Sequence, residues 1–353
     1  MLDTPPRPTN NGPVSKRRLS HQQSRRIASG QQRRAGKADA NSEVAEQALA
    51  SGSLGAEGHG VVCAQYGTRV DLLDSRGQEH SCFLRANLET PVAGDEVIFR
   101  PGDDHGVVVA TQPRTTALQR PDKYGKLRTV AANIDQVVIV LAPLPEPHSN
   151  LIDRYLVATE HLGAEPLILL NKRDLLDDPV LRESVEKILE PYAPLGYRVL
   201  HCSATSGPDS ALAEALAEHN SIFVGQSGVG KTTLLNALLP DAQQRVGALS
   251  EERSKGRHTT TTARRFELPG GGAIIDSPGI REFGLWHLTR DDVAHGFPEL
   301  ANLAGHCRFR DCRHEGEPGC ALEAALEDGR LHPARLASYR HIIASLDADI
   351  DIH

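Results

Sequence analysis

Residues 223–233, Phe223-Val224-Gly225-Gln226-Ser227-Gly228-Val229-Gly230-Lys231-Thr232-Thr233, fit the pattern G-x-x-x-x-G-K-[ST]. Glycines at these spacings let the backbone turn so tightly that successive N–H groups point inward as a nest for anionic oxygens. The lysine then reaches the β- and γ-phosphates, and the hydroxyl after it is placed to bind Mg²⁺. The pattern carries weight only between a strand and a helix. Here the apolar run Ser221 to Val224 predicts the strand, and Thr232 to Leu239 predicts the helix. Gly225 through Thr233 are therefore candidate ligands of a nucleoside triphosphate and Lys231 a candidate catalytic cation, in preference to a chance match in a Gly-rich chain.

The base is addressed upstream. Asn171-Lys172-Arg173-Asp174 follows the apolar run Pro166 to Leu170, placing it at the carboxyl end of a strand, where α/β sheets bind ligands. An Asp carboxylate there accepts from the guanine N1–H and N2 amino groups together, and adenine would leave that charge unpaired. Lys172 is suited to lie along the base plane and Asn171 to tie the loop to its neighbours. Ser203-Ala204-Thr205 ends the apolar run Tyr197 to Cys202 and fits a loop backing the guanine. Asp276-Ser277-Pro278-Gly279 ends the run Ala273 to Ile275 and fits D-x-x-G, with Asp276 meeting Mg²⁺ through water and the Gly279 N–H meeting the γ-phosphate. Ras-type GTPases place the P-loop first and N-K-x-D later; this chain runs N-K-R-D, S-A-T, P-loop, D-S-P-G, a circular permutation.

A third group of residues has metal-ligand spacing. Cys307, Cys312, His314 and Cys320 form C-x4-C-x-H-x5-C among polar neighbours. Three thiolates and an imidazole suit a closed tetrahedral zinc site of structural type. A disulfide would leave one thiol over. His306, adjacent to Cys307, is poorly placed to share the chelate. Cys63, Cys82 and Cys202 fall in strand patterns and read as core residues.

Together these motifs, in this order, resemble the circularly permuted GTPases of small ribosomal subunit biogenesis, the RsgA or YjeQ family, over roughly residues 55 to 345. The resemblance implies a cytoplasmic, monomeric, Mg²⁺-dependent enzyme that hydrolyses GTP to GDP and phosphate. It further implies activation by the small (30S) ribosomal subunit, contact with 16S rRNA and action in late maturation. The segment Ser254-Lys255-Gly256-Arg257-His258-Thr259-Thr260-Thr261-Thr262 lies where a switch loop belongs, and Thr260 is chosen as the threonine completing the Mg²⁺ shell. The residue after D-x-x-G is Ile280, where Ras-type enzymes carry a water-orienting Gln. His258 is the candidate replacement, a role the family attributes to a histidine in this motif; an exposed histidine without function is the competing reading. The rival function is a nucleotide-gated RNA-binding or chaperone protein with incidental hydrolysis. A metabolic P-loop kinase is disfavoured by N-K-R-D.

The elements that must position these groups follow from the rest of the chain. With 353 residues and 39% hydrophobic content, two or three domains with real cores are expected. The fold class expected is α/β: a permuted P-loop GTPase domain (113–288), preceded by an OB-like β-barrel (55–112) and followed by a small helical zinc-binding domain (289–353). Five short apolar runs between turn signals support the barrel; its arginines Arg69, Arg76, Arg85 and Arg100 suit RNA backbone contact, and a purely structural barrel fits as well. Arg114 to Arg128 reads as a polar linker, Leu151 to Leu162 as a helix capped by Asn150 or Ser149, and Pro333 to Leu346 as a helix exposing Arg335, Arg340 and His341.

Residues 1–52 read as a basic arm and linker. The first 37 carry nine Lys/Arg against one acid, leaving 30 basic and 45 acidic residues in the remainder. Such an arm suits RNA binding through counterion release, with simple solvation and a transit peptide as alternatives. It has no apolar core of the kind a secretory signal needs, and no stretch approaches the length of a membrane span.

Overall fold

The computed structural model describes residues 42–122, 125–207, 209–239, 263–276 and 288–350. After helix α1 (residues 42–51), five strands follow: β1 (Gly58–Tyr66), β2 (Arg69–Asp74), β3 (Glu79–Leu84), β4 (Glu96–Arg100) and β5 (Gly106–Thr111). Their order is β1-β2-β3-β5-β4, and β4 pairs back onto β1, which closes the barrel. Alternation drives the closure: Val62, Val70, Leu72, Cys82, Leu84, Val97, Phe99 and Val108 fill the interior. Ala45 of the first helix packs with Leu54 and Val107 on the barrel.

The stretch expected as a linker is instead a two-stranded ribbon, β6 (Ala117–Pro121) against β7 (Leu127–Ala132). Its alternation is masked in the sequence because charged residues pair across it, Arg120 opposite Arg128. Arg114 anchors the ribbon to the barrel with a two-pronged ion pair to buried Asp95, Nε–Oδ1 2.7 Å and Nη2–Oδ2 2.8 Å.

The α/β sheet is built from β8 (Gln136–Leu141), β9 (Glu165–Leu170), β10 (Arg198–His201), β11 (Asn220–Val224), β12 (Arg264–Glu267) and β13 (Ala273–Asp276). The order is β10-β9-β8-β11-β13-β12, parallel except for β12. Every residue of β8 is buried, as a central parallel strand covered on both faces requires. Its one polar residue is satisfied: Ser221 donates to Gln136 Oε1 at 2.9 Å and Gln136 Nε2 donates to the Ala215 carbonyl at 3.0 Å. A bridge between Ala64 and Arg264 joins β12 to β1, so barrel and α/β sheet form one eleven-stranded sheet.

Helices α2 (Ser149–Leu162), α3 (Pro179–Leu189), α4 (Ser210–Leu216) and α5 (Lys231–Leu238) flank the sheet. Asp178 and Asp209 cap α3 and α4 through their side chains. The N-cap of α2 is His148 rather than Asn150 or Ser149; no side chain caps this helix, and the His148 carbonyl accepts the first-turn N–H groups of Leu151 and Ile152.

The C-terminal elements are α6 (Arg290–His295), α7 (Pro298–Ala301), α8 (Ala321–Glu327) and α9 (Pro333–Ile350). Their core continues into α2, where Val157 and Ala158 pack with Val293, Phe297, Leu336 and Ile342. Arg335, expected on the solvent face, is 1% exposed. It donates from Nε to Glu299 Oε1 at 2.6 Å and from Nη1 to Asp153 of α2, and its guanidinium lies 4.3 Å from the Phe297 ring centroid. Two carboxylates, Asp153 across the interface and Glu299 within the C-terminal elements, account for its position. Arg340 is half-buried, and only His341 of the three is exposed as expected. Among the described residues no helix is long and apolar enough to cross a membrane.

Candidate nucleotide site and zinc-ligand cluster

The sequence motifs converge on one edge of the α/β sheet, at the carboxyl ends of β9, β10, β11 and β13. Between β11 and α5 the chain turns through Gly225, Gly228 and Gly230, all at positive φ. A Cβ on Gly225 would lie 2.2 Å from the Val140 carbonyl, and one on Gly230 would lie 2.4 Å from Asn171 Nδ2. Glycine is therefore required by close approach as well as by φ. Lys231 Nζ bends over the loop and donates to the Gly225 and Gln226 carbonyls at 2.7 and 2.6 Å. Ser227, Thr232 and Thr233 are exposed at the mouth, while Val229 packs into the core beneath. The first-turn N–H groups of α5 have no acceptor within the helix and make an anion-binding end.

Asn171, 1% exposed, is the tie between loops. Its Nδ2 donates to the Val229 carbonyl at 2.9 Å, and its Oδ1 accepts from the Ala204 N–H at 3.1 Å. One side chain thus holds the base loop, the backing loop and the phosphate loop in register. Lys172, at φ 59, sends Nζ to the carbonyls of Leu144 and Gly228, each at 2.8 Å. That path lays its aliphatic stem across the mouth, as a base-flanking residue needs. Arg173 N–H donates to the Cys202 carbonyl at 2.9 Å. Ser203 donates to Asp174 Oδ1, which orients the carboxylate, and Thr205 Oγ1 lies 3.1 Å from Ser203 Oγ. Asp276 ends β13, next to β11. Gly279, His258 and Thr260 lie outside the described residues.

One contributor, the turn after β8, had no motif to reveal it. Leu144 and Pro145, in the turn after β8, wall the P-loop: a Cβ on Gly228 would contact Pro145 Cδ at 3.6 Å. Cys202 is a core thiol that burial pushes up to about 11, in keeping with its reading from sequence, and the same holds for Cys63 at about 11 and Cys82 at about 12.

The Cys/His cluster is assembled as its spacing predicts. The ligand atoms of Cys307, Cys312, His314 and Cys320 all lie within 4.8 Å of one another. His314 Nδ1 is 3.5, 3.7 and 3.5 Å from the sulfurs of Cys307, Cys312 and Cys320. A tetrahedral zinc with Zn–S of about 2.3 Å and Zn–N of about 2.05 Å has S···N edges of about 3.6 Å, so the donor set fits that ion. Burial pushes the Cys312 thiol up to about 12 and lowers His314, which keeps the imidazole neutral and able to act as a ligand, while binding of a metal would release the Cys312 proton. Around the ligands, Arg340 Nε donates to the His314 carbonyl at 2.7 Å and Ala321 N–H donates to Cys307 Sγ at 3.3 Å.

Comparison with known proteins places this geometry. The model of the RsgA GTPase family matches residues 111–286. A small ribosomal subunit biogenesis GTPase RsgA of Ectopseudomonas mendocina is 54% identical over 342 residues, covering 95% of this chain and 99% of the relative. The protein of the same name from Pseudomonas aeruginosa is 54% identical over 335 residues, covering 94% of this chain and 98% of its own. Among solved structures, YjeQ from Thermotoga maritima superposes with a TM-score of 0.67 at 28% identity, covering 82% of this chain and 99% of that one. YloQ, described as a circularly permuted GTPase, gives 0.67 at 26% identity, with coverages of 83% and 96%.

Proposed function

The chain belongs to the RsgA GTPase family, and we propose that it hydrolyses GTP in small-subunit biogenesis, activated by the 30S subunit and touching 16S rRNA. The observation that carries the nucleotide half is Asn171, whose amide holds the guanine loop, its backing loop and the P-loop at once. Relatives named for small ribosomal subunit biogenesis support the other half.

In this reading Asp174 accepts from the guanine N1–H and N2 amino groups, with Ser203 fixing the carboxylate and Lys172 flanking the ring. Gly225 to Thr233 receive the phosphates, and Lys231 leaves its loop carbonyls for the β/γ oxygens. The Thr232 hydroxyl, Thr260 and, through water, Asp276 would hold Mg²⁺, which would supply charge neutralisation at the phosphates. The γ-phosphate is transferred to water, with Gly279 N–H on a γ oxygen. Ile280 cannot orient that water, so the free enzyme is slow; His258 does so once a partner orders the switch loop. The Cys307, Cys312, His314 and Cys320 site holds one structural zinc, with no open position for catalysis.

We assign residues 1–52 to the basic arm and linker, 55–112 to the barrel, 113–288 to the permuted GTPase domain and 289–353 to the zinc domain, in a cytoplasmic monomer. Exposed Arg308, Arg310 and Arg313 near the metal ligands and Arg69 stacked on Tyr66 are suited to RNA phosphates and bases. Binding of labelled GDP and ADP tests the nucleotide half: GDP binding competed by GTP and not by ATP is expected, and equal affinity for both bases would refute it.

A further inference from the structure

Strand β1 serves the barrel and the α/β sheet at once. Gly58 to Val61 pair with Phe99 to Glu96 of β4 and close the barrel. Further along, with β2 still on its other edge, Ala64 pairs with Arg264 of β12. Cys63, just before it, is an extra residue in the β1–β2 register, a bulge of the kind that bends a strand and re-aims it. Arg264 pairs in turn with Asp276, so one cross-strand row runs from the barrel through β12 to the aspartate of D-S-P-G. A second contact meets the neighbouring row, where Arg265 pairs with Ile275. The Ile275 side chain lies against Gly94 of the β3–β4 loop: a Cβ there would stand 3.2 Å from Ile275 Cδ1 and 2.0 Å from the Ala132 carbonyl. Gly94, at φ 92, donates its N–H to Val62 O of β1 at 2.9 Å, and its carbonyl accepts from Asn133 Nδ2 at 2.9 Å. Asn133, at φ 53 just before β8, accepts the Thr115 N–H on Oδ1 at 2.9 Å.

We infer that the barrel positions Asp276, with Gly94 and Asn133 as positioning residues for the Mg²⁺ side of the nucleotide site, an assignment that rests on the GTPase reading above. Strands β12 and β13 are four residues each. Without Ala64, β12 would be a short edge strand, and the carboxylate would stand on its inner neighbour with little to fix it. Both contacts fall on the last two residues of β13, so displacing the barrel displaces the carboxylate. The guanine loop follows β9, three strands from β13 in the order β9-β8-β11-β13, or about 14 Å at ~4.8 Å per strand. Disturbing the joint therefore acts on the metal side and spares base recognition. By linkage, whatever tightens the metal side tightens the joint with the barrel to the same degree.

The test titrates a labelled non-hydrolysable GTP analogue against the full chain at varied Mg²⁺ and in chelator, beside the unfolding midpoint of each variant without nucleotide. Asn133→Asp keeps the acceptor for Thr115, tolerates positive φ and turns an oxygen toward Gly94 O. It should raise the Mg²⁺ concentration for half-maximal binding by about 2- to 12-fold, the range one net hydrogen bond gives, and leave affinity in chelator unchanged. Gly94→Ala drives a Cβ into Ala132 O and Ile275 and should shift the Mg²⁺ requirement further in the same direction. Asn133→Asp decides the case alone if Gly94→Ala does not fold. Val108→Ala, in the barrel interior on β5 between β3 and β4, should lower the midpoint and leave the Mg²⁺ requirement unchanged. An equal shift in that variant would mark general loosening and overturn the inference. A wild-type Mg²⁺ requirement in Asn133→Asp overturns the positioning role, and so does an affinity in chelator that falls as far as the affinity in Mg²⁺. A wild-type chain that binds no analogue removes the GTPase reading itself, an outcome distinct from all of these.

Discussion

Replacing Asn171 gives the sharpest expectation for the nucleotide site. Asn171→Ala deletes a donor to Val229 O at 2.9 Å and an acceptor for Ala204 N at 3.1 Å. Both bonds are shielded by protein, since Asn171 is 1% exposed and Val229 is buried. Each bond contributes about 1 kcal/mol net, and stranding a buried carbonyl adds roughly another 1–2 kcal/mol. The total is about 3–4 kcal/mol, or on the order of 100- to 700-fold in GDP affinity if it all falls on the bound state. Part falls on the free protein instead, so unfolding midpoints without nucleotide are measured beside titration calorimetry with GDP. Asn171→Asp separates the two bonds: it keeps the acceptor for Ala204 and turns an oxygen toward Val229 O, so its affinity should fall nearly as far. GDP binding by Asn171→Ala within about threefold of wild type would refute the idea that this side chain holds the three loops.

The other predictions concern neighbouring contacts. Gly230→Ala places a Cβ 2.4 Å from Asn171 Nδ2 at φ 97 and should abolish GDP binding by equilibrium titration while the C-terminal domain stays folded. Asp174→Asn replaces an acceptor by a donor and should move preference from guanine toward xanthine, whose C2 carries a carbonyl; competition between GDP and XDP reads this out. Removing zinc with a strong chelator should unfold the helices around Cys307 and Cys320, because metal binding of this kind contributes on the order of 10 kcal/mol to a small domain, and elemental analysis of the native protein should give one zinc per chain. Arg335→Met strands Asp153 and Glu299 in the core and should cost about 3–5 kcal/mol in denaturant unfolding. Burial holds the Asp153 carboxyl above its usual range. Its stability contribution is therefore fully present below the ordinary carboxylate pKa and lost as pH rises through the raised value. Loss of the Arg335 cation raises that value further, so the variant's deficit should shrink from about pH 8 to about pH 5.

The motifs of the candidate nucleotide site are legible in the sequence because their chemistry is local. The P-loop, N-K-R-D and D-S-P-G each need fixed residue types at fixed spacing, and each falls at a strand end where the apolar run stops. The Cys/His cluster was legible for the same reason. What escaped depends on faces and partners. Arg335 reads as a surface arginine because nothing within its own helix shows that Asp153, 182 residues earlier, waits across the interface. The β6–β7 ribbon reads as a linker because Arg120 and Arg128 interrupt the alternation that would mark strands. The N-cap of α2 falls at His148, one or two residues before the expected Ser149 or Asn150, because no side chain caps this helix and the polar-residue signal therefore has nothing to mark.

The central claim is a guanine-specific hydrolase switched on by the small ribosomal subunit. GTP turnover measured with and without purified small subunits, at near-physiological salt and with large subunits and ATP as controls, tests it most directly. The account predicts slow turnover alone, strong stimulation by small subunits only, and no hydrolysis of ATP. Turnover unchanged by small subunits, or raised equally by large ones, would contradict it.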